Sequence, residues 1–197
     1  MPVSQKEFNL QRLKEQCFSC KECALSQTRK NIVFSDGSSS AKILLIGEAP
    51  GADEDEIGKP FVGRAGKLLN SFLEKAGIIR ETELYICNTI KCRPPNNRVP
   101  SPSEKNACIT YLLKQIELVN PKVIILCGRT AMETFYSKKE KISAVRGKWI
   151  KILDNRDAMV IFHPSYLLRN HKNEINSPRW HTLNDLIEIK EAVKPKK

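Results

Sequence analysis

Three short apolar runs dominate the hydrophobic pattern of the chain. The first covers residues 42–46 and stops at Gly47. The second covers residues 84–90, and the third covers residues 123–127 and stops at Gly128. Short, continuously apolar runs are typical of strands that are buried on both faces of a sheet. The pattern therefore predicts three strands of a mostly parallel sheet.

Amphipathic segments with a helical period lie between and after these runs. One helix is predicted before Gly77, with a buried face formed by Leu68, Leu69, Phe72, Leu73 and Ala76. A second is predicted to begin at residues 103–104 and to face inward with Ala107, Tyr111, Leu112, Ile116 and Val119. The last is predicted to begin near Pro178 and to bury Trp180, Leu183, Leu186 and Ile187.

Two further apolar segments, residues 149–153 and 159–162, flank a polar turn and predict a pair of strands. Strands that alternate with helices indicate an α/β fold with helices on both faces of the sheet. A length of 197 residues suits one domain over residues 1–197. Within it we expect an N-terminal segment over residues 1–40 and a frayed tail over residues 194–197.

Polar and glycine-rich features follow four of the predicted strands. They are residues 47–51, Asn88, Gly128 and residues 163–165. Since ligands bind at the carboxyl edge of parallel strands, these features predict a pocket there. The stretch of residues 47–66, GEAPGADEDEIGKPFVGRAG, is rich in glycine and proline and predicts a shaped loop without a helix.

The charge balance indicates what kind of partner the protein binds. There are 33 lysines and arginines against 22 acidic residues, which gives a formal net charge of +11. Such an excess favours polyanions, above all nucleic acid. The chain has no apolar run of the ~18 residues that a membrane helix needs, and its polar N-terminus lacks a secretion signal. We therefore expect a cytoplasmic protein that makes no membrane contact.

Cysteines stand in a pattern that suggests a metal site. Cys17, Cys20 and Cys23 lie at intervals of three, so either neighbouring pair forms a C-x-x-C motif. Cys92 follows in a loop and Cys108 on a helix. Four thiolates can hold zinc or an iron–sulfur cluster, and the wide spacing of the second pair favours the larger group. Spacing alone leaves both N-terminal pairs open, and it also allows seven ordinary reduced thiols.

Three motifs carry a family resemblance: residues 47–66, the stretch NTIKCRPPNNRVP at 88–100, and HPSYLLR at 163–169. With them the chain resembles the family 4 uracil-DNA glycosylases, the thermostable type with a 4Fe-4S cluster. The resemblance implies a three-layer α/β/α sandwich with a central four-stranded parallel sheet. It also implies a monomer that hydrolyses the glycosidic bond of uracil in DNA with water as the nucleophile.

The resemblance also implies which cysteines hold the cluster. In the family pattern a leucine and an arginine follow the second cysteine at fixed distances, and Leu25 and Arg29 match them. This register selects Cys20 and Cys23 as ligands, and it leaves Cys17 outside the set. Cys92 and Cys108 match the other two ligands.

Uracil recognition requires particular residue types. An asparagine amide can accept from uracil N3–H and donate to O4, whereas cytosine presents the opposite pattern. Asn88 resembles the asparagine that reads uracil in the family, and Phe61 resembles the phenylalanine on which the base stacks. His163 resembles the family's donor to uracil O2. A turn cap for Asn88 and core packing for Phe61 and His163 are the alternatives. The full predicted uracil-binding set is Gly47, Glu48, Ala49, Phe61, Asn88 and His163.

Cleavage needs a group that orients water or balances a cationic sugar. Glu48 and His163 are the leading catalytic candidates, and Glu54 and Asp53 are rivals of Glu48 on the same loop. Another glycosylase family has an aspartate at the position of Ala49, so analogy does not assign the base. We expect Asp55 and Glu56 to be solvated acids of the loop.

DNA contacts are expected beyond the pocket. Either leucine after Tyr166 could insert into the duplex or belong to the core. The predicted DNA-binding set is Tyr166, Leu167, Leu168, Arg169, Arg64 and Arg93, with weaker candidates Lys91, Arg98, Lys172 and Arg179. Two other functions are alternatives: a protein that binds uracil-DNA without catalysis or traps it covalently, and an iron–sulfur electron carrier. The electron carrier explains neither the pocket motifs nor the net charge of +11. Trapping is disfavoured because residues 94–106 lack the histidine-containing insert of the trapping subgroup.

Overall fold

The computed structural model describes residues 4–137 and 139–195, so the predicted fraying of residues 196–197 lies outside the described residues. One mixed sheet organises this part of the chain. Its strands are β1 (Asp36–Gly37), β2 (Ile43–Gly47), β3 (Leu84–Asn88), β4 (Val123–Cys127), β5 (Trp149–Ile152) and β6 (Arg156–Ile161). The strand order is β1-β3-β2-β4-β6-β5. The central four strands are parallel and the two edge strands are antiparallel to their neighbours. The predicted four-stranded parallel sheet is confirmed, with an antiparallel strand added at each edge.

Helices cover both faces of this sheet. They are α1 (Gln5–Phe18), α2 (Ala52–Ile57), α3 (Arg64–Lys75), α4 (Arg80–Glu83), α5 (Pro102–Val119), α6 (Arg129–Phe135), α7 (Ile142–Val145), α8 (Pro164–Arg169) and α9 (Pro178–Val193). In β2, Ile43 and Leu45 pack toward α3 and α9, whereas Leu44 and Ile46 pack toward α5 and α6. A strand buried in this alternating way has no polar face, which explains its continuous apolar run. The three-layer sandwich is therefore confirmed. None of the described helices is long and apolar enough to cross a membrane.

Serine caps set the beginnings of the long helices. The Ser101 hydroxyl accepts from the Glu104 N–H and the Glu104 carboxylate accepts from the Ser101 N–H, so α5 begins at Pro102, slightly earlier than predicted. Ser4 and Glu7 form the same reciprocal pair at the start of α1, a helix that the sequence reading missed. Its Ser-x-x-Glu signature was present in the sequence.

Two predictions about helices are wrong. The loop of residues 47–66 contains the short helix α2, which Gly58 ends in a left-handed conformation. In α9, Trp180 and Ile187 face outward with 36% and 40% of their surface exposed. The buried face of α9 instead includes Asp185, because that residue pairs with Arg146.

Candidate active site

The carboxyl edge of the parallel strands holds the predicted pocket. Gly47 at the end of β2 pairs with Asn88 at the end of β3, and the chain leaves β6 toward His163. A cleft of about 280 Å³ opens at this edge. Five of the six predicted uracil-binding residues line it: Glu48, Ala49, Phe61, Asn88 and His163. The sixth, Gly47, contacts this group from the strand below.

Gly47 is required by a close approach of two side chains. A Cβ atom on it would lie 2.4 Å from Asn88 Oδ1 and 2.7 Å from Phe61 Cζ. Any larger residue would push the amide and the ring apart. The glycine therefore allows a hydrogen-bonding amide and an aromatic ring to meet in one narrow space.

Phe61 is held in a strained backbone conformation. Its φ of 53° lies in the left-handed region, which a bulky residue adopts only when its surroundings impose it. The Arg80 guanidinium imposes it in part, because it donates to the carbonyl oxygens of Phe61 at 3.2 Å and Pro60 at 2.7 Å. The Phe61 ring centroid lies 5.9 Å from that of His163. The sequence reading did not single out Arg80.

The His163 ring has a defined tautomer. Its Nδ1 accepts from the backbone N–H of Ser165 at 3.2 Å, so in the neutral ring the proton is on Nε2. Burial, and after it the positive charge of Arg169, lowers the pKa of His163 to about 4. The imidazole is therefore neutral at physiological pH and has one N–H to donate.

Glu48 lies between two clefts. It lines the cleft described above and a second one of about 400 Å³, whose other wall includes Arg129, Thr130 and Tyr166. The Thr130 hydroxyl donates to Oε2 of Glu48. The backbone carbonyl of Glu48 accepts from the Thr89 hydroxyl at 2.5 Å. Its main chain and side chain are thus both fixed by hydrogen bonds.

Glu54 has a different set of partners from Glu48. Its Oε1 accepts from the backbone N–H groups of Val62 at 2.9 Å and Gly63 at 2.8 Å. Its Oε2 accepts from the N–H of Gly51 at 3.1 Å. This carboxylate joins the two ends of the loop that carries Phe61.

Asp55 and Glu56, next to Glu54, were both predicted to be solvated, and only Glu56 is. Asp55 is only 3% exposed, and its carboxylate accepts from the backbone N–H groups of Lys30 and Asn31. The expectation that Asp55 is solvated is wrong, because it connects α2 to the N-terminal segment. Glu56 is exposed and pairs with the Lys30 ammonium, as expected for a surface acid.

The cysteines converge on one side of this edge. Cys17, Cys23, Cys92 and Cys108 belong to one apolar cluster, and Cys20 and Cys23 lie close enough to add to the pKa rise that burial causes in Cys108. Within the described ranges, no three or more histidine, cysteine or acidic side chains are arranged to hold a single metal ion. Cys17 is 1% exposed and lies within the same apolar cluster.

Two cations lie against these cysteines. Arg29 donates to Cys92 Sγ at 3.1 Å and to the Cys20 carbonyl at 2.8 Å. Lys91 is 1% exposed and its ammonium donates to the Asn88 carbonyl at 2.8 Å, so its predicted role as a phosphate contact is wrong. Its charge lowers the pKa of Cys17, although burial dominates and raises that pKa to about 12.

The predicted DNA-contact residues are divided between the surface and the core. Tyr166 is 38% exposed, Leu168 is half-buried, and Leu167 is fully buried in the core. Arg169 and Arg64 are exposed and Arg93 is half-buried. Insertion into DNA is thus open to Tyr166 and Leu168, whereas Leu167 packs against the sheet.

Comparison with known proteins gives matches to one protein family. A model of the uracil DNA glycosylase superfamily matches residues 34–187. The chain is 45% identical over 190 residues to a type-4 uracil-DNA glycosylase of Thermotoga maritima, which covers 96% of this chain and 97% of the relative. It is 40% identical over 169 residues to one of Sulfurisphaera tokodaii, covering 82% and 77% of the two chains. One of Archaeoglobus fulgidus is 41% identical over 170 residues, covering 81% and 83%.

Proposed function

Because the chain belongs to the type-4 uracil-DNA glycosylases, we propose that it excises uracil from DNA and leaves an abasic site. Such an enzyme must flip the nucleotide out of the duplex and hold the base in a pocket. The convergence of Asn88, Phe61 and His163 in one cleft beside Gly47 is the observation that carries this proposal.

The three side chains suit a flipped uracil. The Asn88 amide would accept from N3–H and donate to O4, and the Phe61 ring would stack on the base. The neutral His163 ring would donate from Nε2 to O2, where negative charge develops as uracil departs. Cytosine would leave the amide donor and acceptor unpaired, which explains discrimination against it.

We assign the water-orienting role to Glu48 and not to Glu54. Glu48 borders both clefts, so its carboxylate can reach a water on the sugar side of the base. Glu54 accepts three backbone N–H bonds, which use both of its oxygens and hold the Phe61 loop in shape. The same Glu48 charge can stabilise the positive charge that develops on the sugar.

We also propose that Cys20, Cys23, Cys92 and Cys108 hold a 4Fe-4S cluster. The buried Lys91 ammonium supports this, because a buried cation requires a nearby anion, and thiolates on iron provide one. Burial raises the pKa of Cys92 to about 11, so this thiol becomes a thiolate only when a metal binds. The bound group would link the N-terminal segment to the loop after β3 and to α5.

A variant pair tests the ligand set. Cys23→Ser should lose the iron and the broad near-visible absorbance of the purified protein, whereas Cys17→Ser should keep both, since we place Cys17 outside the set. Iron analysis and absorbance spectra of the two anaerobically purified variants provide the measurement. Zinc in a colourless wild-type protein, or iron loss from Cys17→Ser alone, would contradict the assignment.

The remaining assignments concern partners. We propose that Tyr166 or Leu168 fills the space that the flipped nucleotide leaves, and that Arg169, Arg64 and Arg93 bind phosphates. We further propose that the protein acts as a monomer in the cytoplasm.

One assay tests the proposed function. A DNA strand with a single uracil is incubated with the protein and then treated with alkali, which cleaves at an abasic site. Cleavage at the uracil position, with release of free uracil, is the expected result. A complex resistant to detergent would indicate covalent trapping, and DNA that is neither cleaved nor bound would contradict the proposal.

A further inference from the structure

Thr130 touches the proposed catalytic machinery through the Glu48 side chain. It lies in the first turn of α6, just after β4, and is 5% exposed. Its hydroxyl donates to Oε2 of Glu48, a residue 82 positions away in sequence. It also lines the second cleft together with Glu48 and His163.

The backbone around Thr130 is firmly placed. Gly128 has a φ of 93°, and a Cβ atom on it would lie 2.9 Å from the Cβ of His163. The turn that starts α6 therefore packs directly against the segment that carries His163. A side chain fixed in this turn has a defined position relative to both His163 and Glu48.

We propose that Thr130 is a positioning residue for the Glu48 carboxylate. Its hydroxyl holds Oε2 and leaves Oε1 to orient the attacking water toward the sugar. A carboxylate held in one rotamer reacts from the correct geometry, whereas a freely rotating one must be ordered in each turnover. The inference rests on the role of Glu48 in the proposed function.

The test removes the hydroxyl and keeps the shape. Thr130→Val should lower the single-turnover rate of uracil excision by about 10- to 100-fold, because a hydrogen bond to a charged group is lost. Affinity for uracil-containing DNA should stay within about twofold, since Thr130 is not among the residues that line the cleft proposed for the base. Thr130→Ser keeps the hydroxyl, so its excision rate should match that of the wild type. Thr182→Val is the matched control, because Thr182 is also buried and its hydroxyl donates to the Pro178 carbonyl within α9.

A double-mutant cycle separates positioning from general damage. When Glu48 is already alanine, adding Thr130→Val should change the residual rate by less than about twofold if the hydroxyl acts through Glu48. An equal slowing in both backgrounds, or a normal rate in Thr130→Val, would overturn the inference. Should the valine variant fold poorly, Thr130→Ala in the same cycle gives the same decision.

The outcomes also distinguish this inference from the proposal on which it rests. If the wild-type protein excises no uracil, the proposed function fails. If it excises uracil but Glu48→Ala is as fast as wild type, the role of Glu48 fails and the positioning role of Thr130 with it. If Glu48→Ala is slow and Thr130→Val is not, only the inference fails.

Discussion

Selectivity for uracil is a property of the Asn88 amide. In Asn88→Asp the side chain keeps an acceptor and loses its N–H donor, so it should hold uracil less well and accept the amino group of cytosine. We expect slower uracil excision and measurable cytosine excision in single-turnover assays with matched oligonucleotides.

Asn97→Asp is the control for this change, because Asn97 lines the same cleft from an exposed loop and lies in the left-handed conformation that aspartate also tolerates. It should leave base preference unaltered. Unchanged rejection of cytosine by Asn88→Asp would show that the amide does not read the base.

The charge state of His163 can be measured directly. Its pKa is about 4 in the folded protein, whereas the ordinary value is 6.5. Between pH 4 and pH 6.5 the ring is therefore protonated in the unfolded chain and neutral in the folded chain. The contribution of His163 to stability is therefore complete above pH 6.5 and declines as pH falls toward 4. Ring nitrogen shifts in a nuclear magnetic resonance titration should report a neutral Nε2–H imidazole at pH 6. A midpoint above 7 would refute a neutral donor at physiological pH.

At the scale of elements, the strand ends were the most predictable feature. A buried strand has a short apolar run, and its last residue or the residue after it is free to be polar or glycine, as at Gly47, Asn88 and Gly128. The second strand was predicted over residues 84–90, whereas β3 ends at Asn88. Helix α2 was missed because its local sequence is acidic and lies between glycines. Glu54 accepts from the nearby Gly51 N–H, but it also accepts from Val62, and Asp55 accepts from Lys30. No local pattern reveals the partners Val62 and Lys30.

Asp55 links α2 to the N-terminal segment, and the loss of this link should be measurable. Asp55→Ala would leave the backbone N–H groups of Lys30 and Asn31 without acceptors, which should lower the free energy of unfolding by roughly 2–3 kcal/mol. It should also speed proteolysis of the N-terminal segment. Urea denaturation and limited proteolysis provide the two measurements.

The control for Asp55 lies one residue further along α2. Glu56→Ala removes an acid whose pair with Lys30 is solvated, so its denaturation midpoint should match the wild type. A midpoint for Asp55→Ala that also equals the wild-type value would mean that this contact does not hold α2 to the N-terminal segment.

For the whole molecule, the sequence predicted which residues form the cleft but not how they are held there. The motifs identified Asn88, Phe61 and His163 because each sits in a long local signature. Thr130 and Arg80 carry no such signature, since their contacts to Glu48 and Phe61 depend on how separate segments pack across the sheet edge. Only the folded chain shows these contacts.

The net charge of +11 belongs to the molecule as a whole, and its effect on DNA binding depends on where the cations lie. Arg169 is exposed at the end of α8, beside the clefts, so it should contact a phosphate. Each phosphate contact adds about 0.7–0.9 to the slope of log affinity against log salt concentration.

Arg169→Gln should therefore reduce that slope by about one unit in anisotropy titrations. Lys75→Gln removes the same charge at the end of α3, which runs away from the carboxyl edge, and should leave the slope unchanged. Equal slopes for wild type and Arg169→Gln would remove Arg169 from the DNA interface.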